Sequence, residues 1–259
     1  MLLFFFLAST VLAAKAQADF NNPLINNLIY LLRPRYGSGG GGNGVSCLSW
    51  RFGVETNNII DWSTIPEKCE LYVGNYMLGE QYRKDSEVVI KEAYLYATSL
   101  NLSKDGKDVW IFDIDETSLS NLPYYARHGF GVEPFNLTSF TEWILTEDAP
   151  ALPETLKLYK SLISLGFKIV FLSGRYEKTR SATERNLIYV GYKAWEKVLL
   201  RKDSDKSASS LEYKSAQRKQ LVKDGYSIVG NIGDQWSDLL GTDPGNRTFK
   251  LPDPMYYIS

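Results

Sequence analysis

From residue 108 onward the chain alternates short, continuous apolar runs with segments of helical period, and few architectures satisfy that pattern. Asp108–Phe112 (DVWIF), Lys168–Leu172 (KIVFL), Val198–Leu200 and Ser227–Gly230 read as strands, with a fifth over Thr248–Leu251. Apolar residues in these runs are consecutive rather than alternate, so both faces of each strand are expected to be buried. Between them, Pro153–Leu165, 177–190 and 211–223 have helical spacing, the first closed by Gly166 and the last by Gly225. Buried strands separated by helices make an α/β fold, a Rossmann-like doubly wound parallel sheet covered on both faces. Ligands in such sheets bind at the carboxyl ends of the strands, so the polar residues just past each strand are the ones to question.

The N-terminal part reads differently. Residues 2–13, LLFFFLASTVLA, are followed by the small-x-small triplets Ala14-Lys15-Ala16 and Ala16-Gln17-Ala18. That is the form of a secretory signal peptide over 1–18, too short to span a bilayer. A short helix is expected over Leu24–Leu32 and a loop over 37–44, GSGGGGNG. Cys47–Trp62 looks irregular or edge-like. Ser63-Thr64-Ile65-Pro66-Glu67 resembles a helix start, and helical period then runs to about Leu100 with a break near Gly79. The expected division is a signal peptide, a helical N-terminal extension over 19–106 and a core over 107–259, with a small insertion, 118–152, after the first strand. The total of 259 residues suits one compact domain of core plus extension.

Charge and residue usage exclude several functions. Twenty-nine Lys and Arg against 30 Asp and Glu, in no long block, argue against a nucleic-acid binder. The single histidine, His128, excludes metal centres built from several imidazoles. Asn101, Asn136 and Asn246 each begin a glycosylation sequon, consistent with secretion. The only cysteines, Cys47 and Cys69, are expected to form one disulfide in an oxidising lumen, worth about 3 kcal/mol by loop entropy. The alternative is a pair of buried thiols.

The strand ends carry the chemistry. The first strand runs into Asp113-Ile114-Asp115-Glu116-Thr117, two carboxylates two residues apart that are costly beside a buried strand unless a positive charge answers them. The second ends in Ser173-Gly174-Arg175, where a hydroxyl and backbone N–H groups at a helix entrance suit a phosphate. The third ends in Asp203-Ser204-Asp205, which reads as a capping turn. The fourth ends in Gly233-Asp234-Gln235-Trp236-Ser237-Asp238, whose two acids offer oxygen ligands to Mg²⁺. Lys214 begins the intervening helix, with nothing local to distinguish it.

In order, DxDxT, a strand-end Ser, a Lys and GDxxxD resemble the four motifs of the haloacid dehalogenase (HAD) superfamily. The match extends to Cys47-Leu48-Ser49-Trp50-Arg51, Val54-Glu55-Thr56-Asn57-Asn58 and Gly79-Glu80-Gln81-Tyr82, which resemble the plant class B acid phosphatases. That group includes the legume vegetative storage proteins, and the resemblance covers roughly 45–258. It implies a secreted or vacuolar Mg²⁺-dependent acid phosphatase hydrolysing small phosphate monoesters through an aspartyl-phosphate. The alternative is a storage glycoprotein on the same fold with little or no catalysis. By the resemblance Asp113 is the nucleophile and Asp115 the general acid–base. Ser173, Gly174 and Lys214 bind phosphate, and the metal is held by Asp113, the Asp115 backbone carbonyl, Asp234 and Asp238. To act as an acid Asp115 has to be protonated at the working pH, which its carboxylate neighbours favour. No nucleic-acid or membrane partner is expected after signal removal, and a homo- or heterodimer stays open. Arg127-His128-Gly129 imitates the histidine acid phosphatases, but the second arginine of that pattern is missing from Phe130-Gly131-Val132-Glu133-Pro134.

Overall fold

The computed structural model describes residues 45–259; the expected signal peptide, the helix over 24–32 and the glycine-rich loop lie outside the described residues. Residues 45–259 form one compact unit. It begins with helices α1 (Cys47–Glu55), α2 (Glu70–Leu78) and α3 (Glu80–Ser99), the last two divided at Gly79. The expectation of irregular chain over Cys47–Trp62 is overturned at α1. Ser46 caps it, accepting from the Ser49 backbone N–H, and the helix turns Trp50 and Val54 inward. Cys47 and Cys69 are joined by a disulfide that fastens α1 to the start of α2.

The rest follows the strand–helix alternation: β1 (Asp108–Phe112), α4 (Leu122–Tyr125), α5 (Leu137–Thr146), α6 (Pro153–Leu165), β2 (Lys168–Tyr176), α7 (Arg180–Val190), β3 (Lys197–Arg201), α8 (Ser210–Lys223), β4 (Ser227–Gly233), α9 (Trp236–Leu239) and β5 (Thr248–Lys250). The five strands are parallel in the order β3-β2-β1-β4-β5, a doubly wound sheet whose direction of winding reverses beside β1. Asp203–Asp205 is a capping turn as expected, the Asp205 carboxylate accepting from the Lys202 N–H at 2.9 Å.

Side chains of β1 point alternately to two cores. Val109 and Ile111 face Val170, Leu172, Tyr213 and Leu221, whereas Trp110 and Phe112 join the larger aromatic core under the N-terminal helices. Trp110 stacks on Phe249 at 5.5 Å, and Tyr96 of α3 packs on both rings while donating its hydroxyl to the Val229 carbonyl. Gly230 makes that stack feasible, since a Cβ there would come within 2.6 Å of several Trp110 ring atoms. Among the described residues no helix is long and apolar enough to cross a membrane.

Candidate active site

The central strand delivers Asp113 straight to the sheet's carboxyl edge. The Asp113 N–H still donates to the Ile232 carbonyl at 3.0 Å, so the β1–β4 ladder extends to the acid itself. The chain then turns sharply, with Ser118 and Leu119 donating to the Ile114 carbonyl and the Ser118 hydroxyl to that of Asp113. Glu116 takes a left-handed φ of 48°, strain of the sort that collects at functional sites. The turn also aims Thr117, whose hydroxyl donates to Asp234 at 3.1 Å and ties the first motif to the last.

Lys214 reaches the same place from α8. Ser209 and Glu212 form a reciprocal capping box that fixes the start of that helix, and Lys214 follows within its second turn. Its ammonium donates to Asp113 Oδ1 at 2.6 Å and also to Asp238 Oδ1. Burial opposes the ammonium's charge, but Asp113 and Asp238 outweigh it and raise the Lys214 pKa. The lysine that carried no local signal is thus a buried counter-ion.

Asp234 and Asp238 are held by the turn after β4. Asp238 accepts from the Gln235 backbone N–H, and Asp234 from the Gln235 side-chain amide. Gly233 is required there, because any Cβ would collide with the Asp238 carboxylate. Carboxylate oxygens of Asp113, Asp234 and Asp238 all lie within 4.8 Å of one another. Burial drives the pKa of Asp113 up; Lys214 opposes this, and Asp238 and Asp234 add to it. Asp234 is raised by burial and by Asp238 and Asp253. Three clustered buried carboxylates share one bonded ammonium, that of Lys214 on Asp113 and Asp238, and form a set of hard oxygen donors. That chemistry fits a divalent cation such as Mg²⁺.

Asp115 sits in different company. Arg175 donates to both its oxygens, with Nε at 3.0 and 3.2 Å and Nη2 at 2.8 Å, and Asn121 adds a bond at 2.8 Å. Burial raises the Asp115 pKa, but the charge and hydrogen bonds of Arg175 prevail and hold it below the usual carboxylate range. The expectation that carboxylate neighbours favour its protonation is therefore corrected, because a guanidinium, not an acid, is its nearest partner. Ser173 lies between the halves of the site, its hydroxyl 3.4 Å from Asp115 Oδ2 and accepting from the Arg175 N–H. Ser173 and Gly174 stand within β2, which runs on to Tyr176, rather than at a helix entrance; α7 begins only at Arg180.

Above these groups opens a cleft of about 370 Å³. Tyr125, Phe135, Phe140 and Ile144 of the insertion wall one side, and Tyr256, Tyr257 and Ile258 another. His128 supports that wall without lining the cleft: its ring stacks on Tyr124 at 4.1 Å. The three sequon asparagines are exposed, and Asn136 caps α5 through its side-chain oxygen.

Several residues of the site escaped the motifs. Arg175 could have been suspected, since two acids so close demand a second cation. Asp253, buried and bonded to Gln235 at 3.1 Å, carried no such signal. Nor did Arg218, fully buried, which donates to the Asp238 and Thr242 carbonyls and clamps the acid turn from below. Glu116, also fully buried, has a pKa pushed up to about 8 by burial and by Asp234.

Comparison with known proteins places these features in a family. Residues 35–259 match the family described as HAD superfamily, subfamily IIIB (acid phosphatase). The chain is 50% identical over 214 residues to acid phosphatase 1 of Solanum lycopersicum, covering 83% of this chain and 84% of that protein. It is 49% identical to the stem 28 kDa glycoprotein of Glycine max, over 99% of this chain and 98% of that one. The fold is similar to that of the class C acid phosphatase from Bacillus anthracis, with a TM-score of 0.61 and 23% identity, over 74% of this chain and 86% of the other.

Proposed function

This chain belongs to the acid phosphatases of HAD subfamily IIIB, and from that premise we propose that it is a secreted or vacuolar, Mg²⁺-dependent phosphomonoesterase acting through an aspartyl-phosphate. The observation that carries the proposal is the completeness of the acid–lysine set: Asp113, Asp234 and Asp238 converge at the floor of an open cleft, with Lys214 paired to Asp113 and Asp238.

Asp113 attacks phosphorus. Its Oδ1 is engaged by Lys214, while Oδ2 accepts no hydrogen bond from a described residue, and Asp113 lines the cleft. As the Asp113–phosphorus bond forms, the ester bond breaks and its electron pair leaves with the alcohol or phenol oxygen. Asp115 stands beside Ser173 to protonate that oxygen, then removes a proton from the water that attacks the acyl phosphate, returning Asp113 and inorganic phosphate. Arg175 biases Asp115 toward its ionised form, which suits the second step directly and favours leaving groups that depart without a proton. Lys214, Ser173 and the Gly174 backbone receive the phosphoryl oxygens, a fixed electrostatic cradle. Asp113, Asp234, Asp238 and the Asp115 carbonyl would hold Mg²⁺, which when bound supplies the positive charge that lets a phosphate dianion approach the acids.

The disulfide and the three exposed sequons favour the secretory pathway, with a glycan on at least one of Asn101, Asn136 and Asn246. The test is phosphate release from a generic aryl monoester at acidic pH. Turnover that is lost on chelation, restored by Mg²⁺ and absent from Asp113→Asn supports the enzyme. No turnover above the Asp113→Asn control would instead favour the storage glycoprotein.

A further inference from the structure

Among the described residues three cations line the cleft: Lys214, Arg175 and Arg201. Lys214 is paired with Asp113 and Asp238, and Arg175 with Asp115. Arg201 forms no ion pair with any described residue, although only 8% of it is exposed. Carbonyl and aromatic contacts offset part of the cost of burying its charge, and an arriving anion would offset more.

Its setting is rigid. Arg201 is the last residue of β3, paired in register with Tyr176 of β2, so both stand at the carboxyl edge where ligands bind. Its guanidinium lies over the Tyr213 ring at 4.9 Å, and Nη1 donates to the Ala208 carbonyl at 2.8 Å. These contacts hold the plane while leaving Nε buried with no hydrogen-bond partner. Ser210 also lines the cleft and makes no side-chain hydrogen bond to a described residue. Its hydroxyl is 3.8 Å from where a Cβ on Gly174, the residue after Ser173, would stand.

We propose that Arg201, helped by Ser210, binds a second anionic group on the substrate, so that the preferred substrates are phosphomonoesters whose leaving group carries a carboxylate or another phosphate. The proposal rests on the phosphatase reading and adds the substrate class. Lys214 and Arg175 are occupied by the acids of the reaction, which leaves Arg201 to read the rest of the molecule. Its planar fork matches either anion.

If Arg201 served only to order the 202–209 loop, its loss would affect all substrates alike. The test compares kcat/KM for phenyl phosphate, 4-carboxyphenyl phosphate and 1,4-phenylene bisphosphate in the wild type and in Arg201→Gln. The expected result is a preference for the charged substrates over phenyl phosphate that falls about tenfold in the variant, as loss of one charge-assisted contact implies. The carboxylate and bisphosphate arms separate the two anions. An unchanged preference in Arg201→Gln overturns the proposal. Calorimetric Kd values on the wild-type protein decide independently of turnover and of the variant's folding. 4-Carboxyphenylphosphonate should bind about tenfold more tightly than phenylphosphonate at low salt, and equal binding overturns the proposal. Absence of phenyl phosphate turnover in the wild type would count against the phosphatase reading, while the phosphonate pair would still decide the role of Arg201.

Discussion

Asp113 and Asp115 are the same residue type, two positions apart on one turn, and the fold gives them opposite surroundings. Asp113 stands on the floor among Asp234, Asp238 and Lys214, where burial and like charges push its pKa up. Asp115 stands on the flank, where Arg175 and Asn121 engage it, chiefly at Oδ1, and hold its pKa down. The floor is short of positive charge and calls for a metal; the flank is already balanced. Two carboxylates of one type acquire opposite protonation tendencies from their environment.

Substitutions can break that contrast from either side. The largest effect is expected on the floor. Lys214→Met removes the ammonium that bridges Asp113 and Asp238, and kcat/KM should fall about 10³-fold or more. Breaking a buried pair should also cost about 3–5 kcal/mol of stability in metal-free protein. Mg²⁺ should restore part of it, read as a larger Mg²⁺-induced rise in Tm for the variant than for the wild type.

On the flank the losses should be smaller and should depend on the substrate. Asp115→Asn is expected to lose about 10²–10⁴ in rate, least with nitrophenyl esters and most with alkyl esters. A leaving-group series on wild type and variant checks this through the slope of log kcat/KM against leaving-group pKa, which should steepen. Arg175→Lys retains the charge but not the two-nitrogen grip on Asp115. A loss of about tenfold, mainly in kcat, is expected. A loss as deep as that of Lys214→Met would erase the distinction between floor and flank.

Much of the scaffold was legible because its signals are local. The five apolar runs became the five strands, and Pro153, Gly166 and Gly225 bounded helices where expected. α1 was missed because its outward face carries Leu48 and Phe52, both exposed, which blurs the amphipathic period. At the site, the motif acids and Ser173 were visible as polar residues past buried strands. The partners that give them character were not. Lys214, about a hundred residues from Asp113, has no local mark and is picked out only by the motif resemblance; its pairing with Asp113 and Asp238 shows only when the sheet closes. Arg175 pairs with Asp115 across the β1–β2 register, and Asp253 reaches Gln235 from the C-terminal segment. Protonation state depends on such long-range neighbours, which is why the state of Asp115 was misjudged while its position was not.

The division of labour between the two aspartates is tested most directly by finding where phosphate is held. Wild-type protein and Asp115→Asn, loaded with Mg²⁺ and an aryl phosphate, are quenched in acid during turnover, and their peptides are mapped by mass. Phosphate should be found on Asp113 in both and should accumulate in Asp115→Asn, where water activation is lost and an aryl leaving group still departs. Phosphate on Asp115, or on neither aspartate in protein that is turning over, would contradict the account.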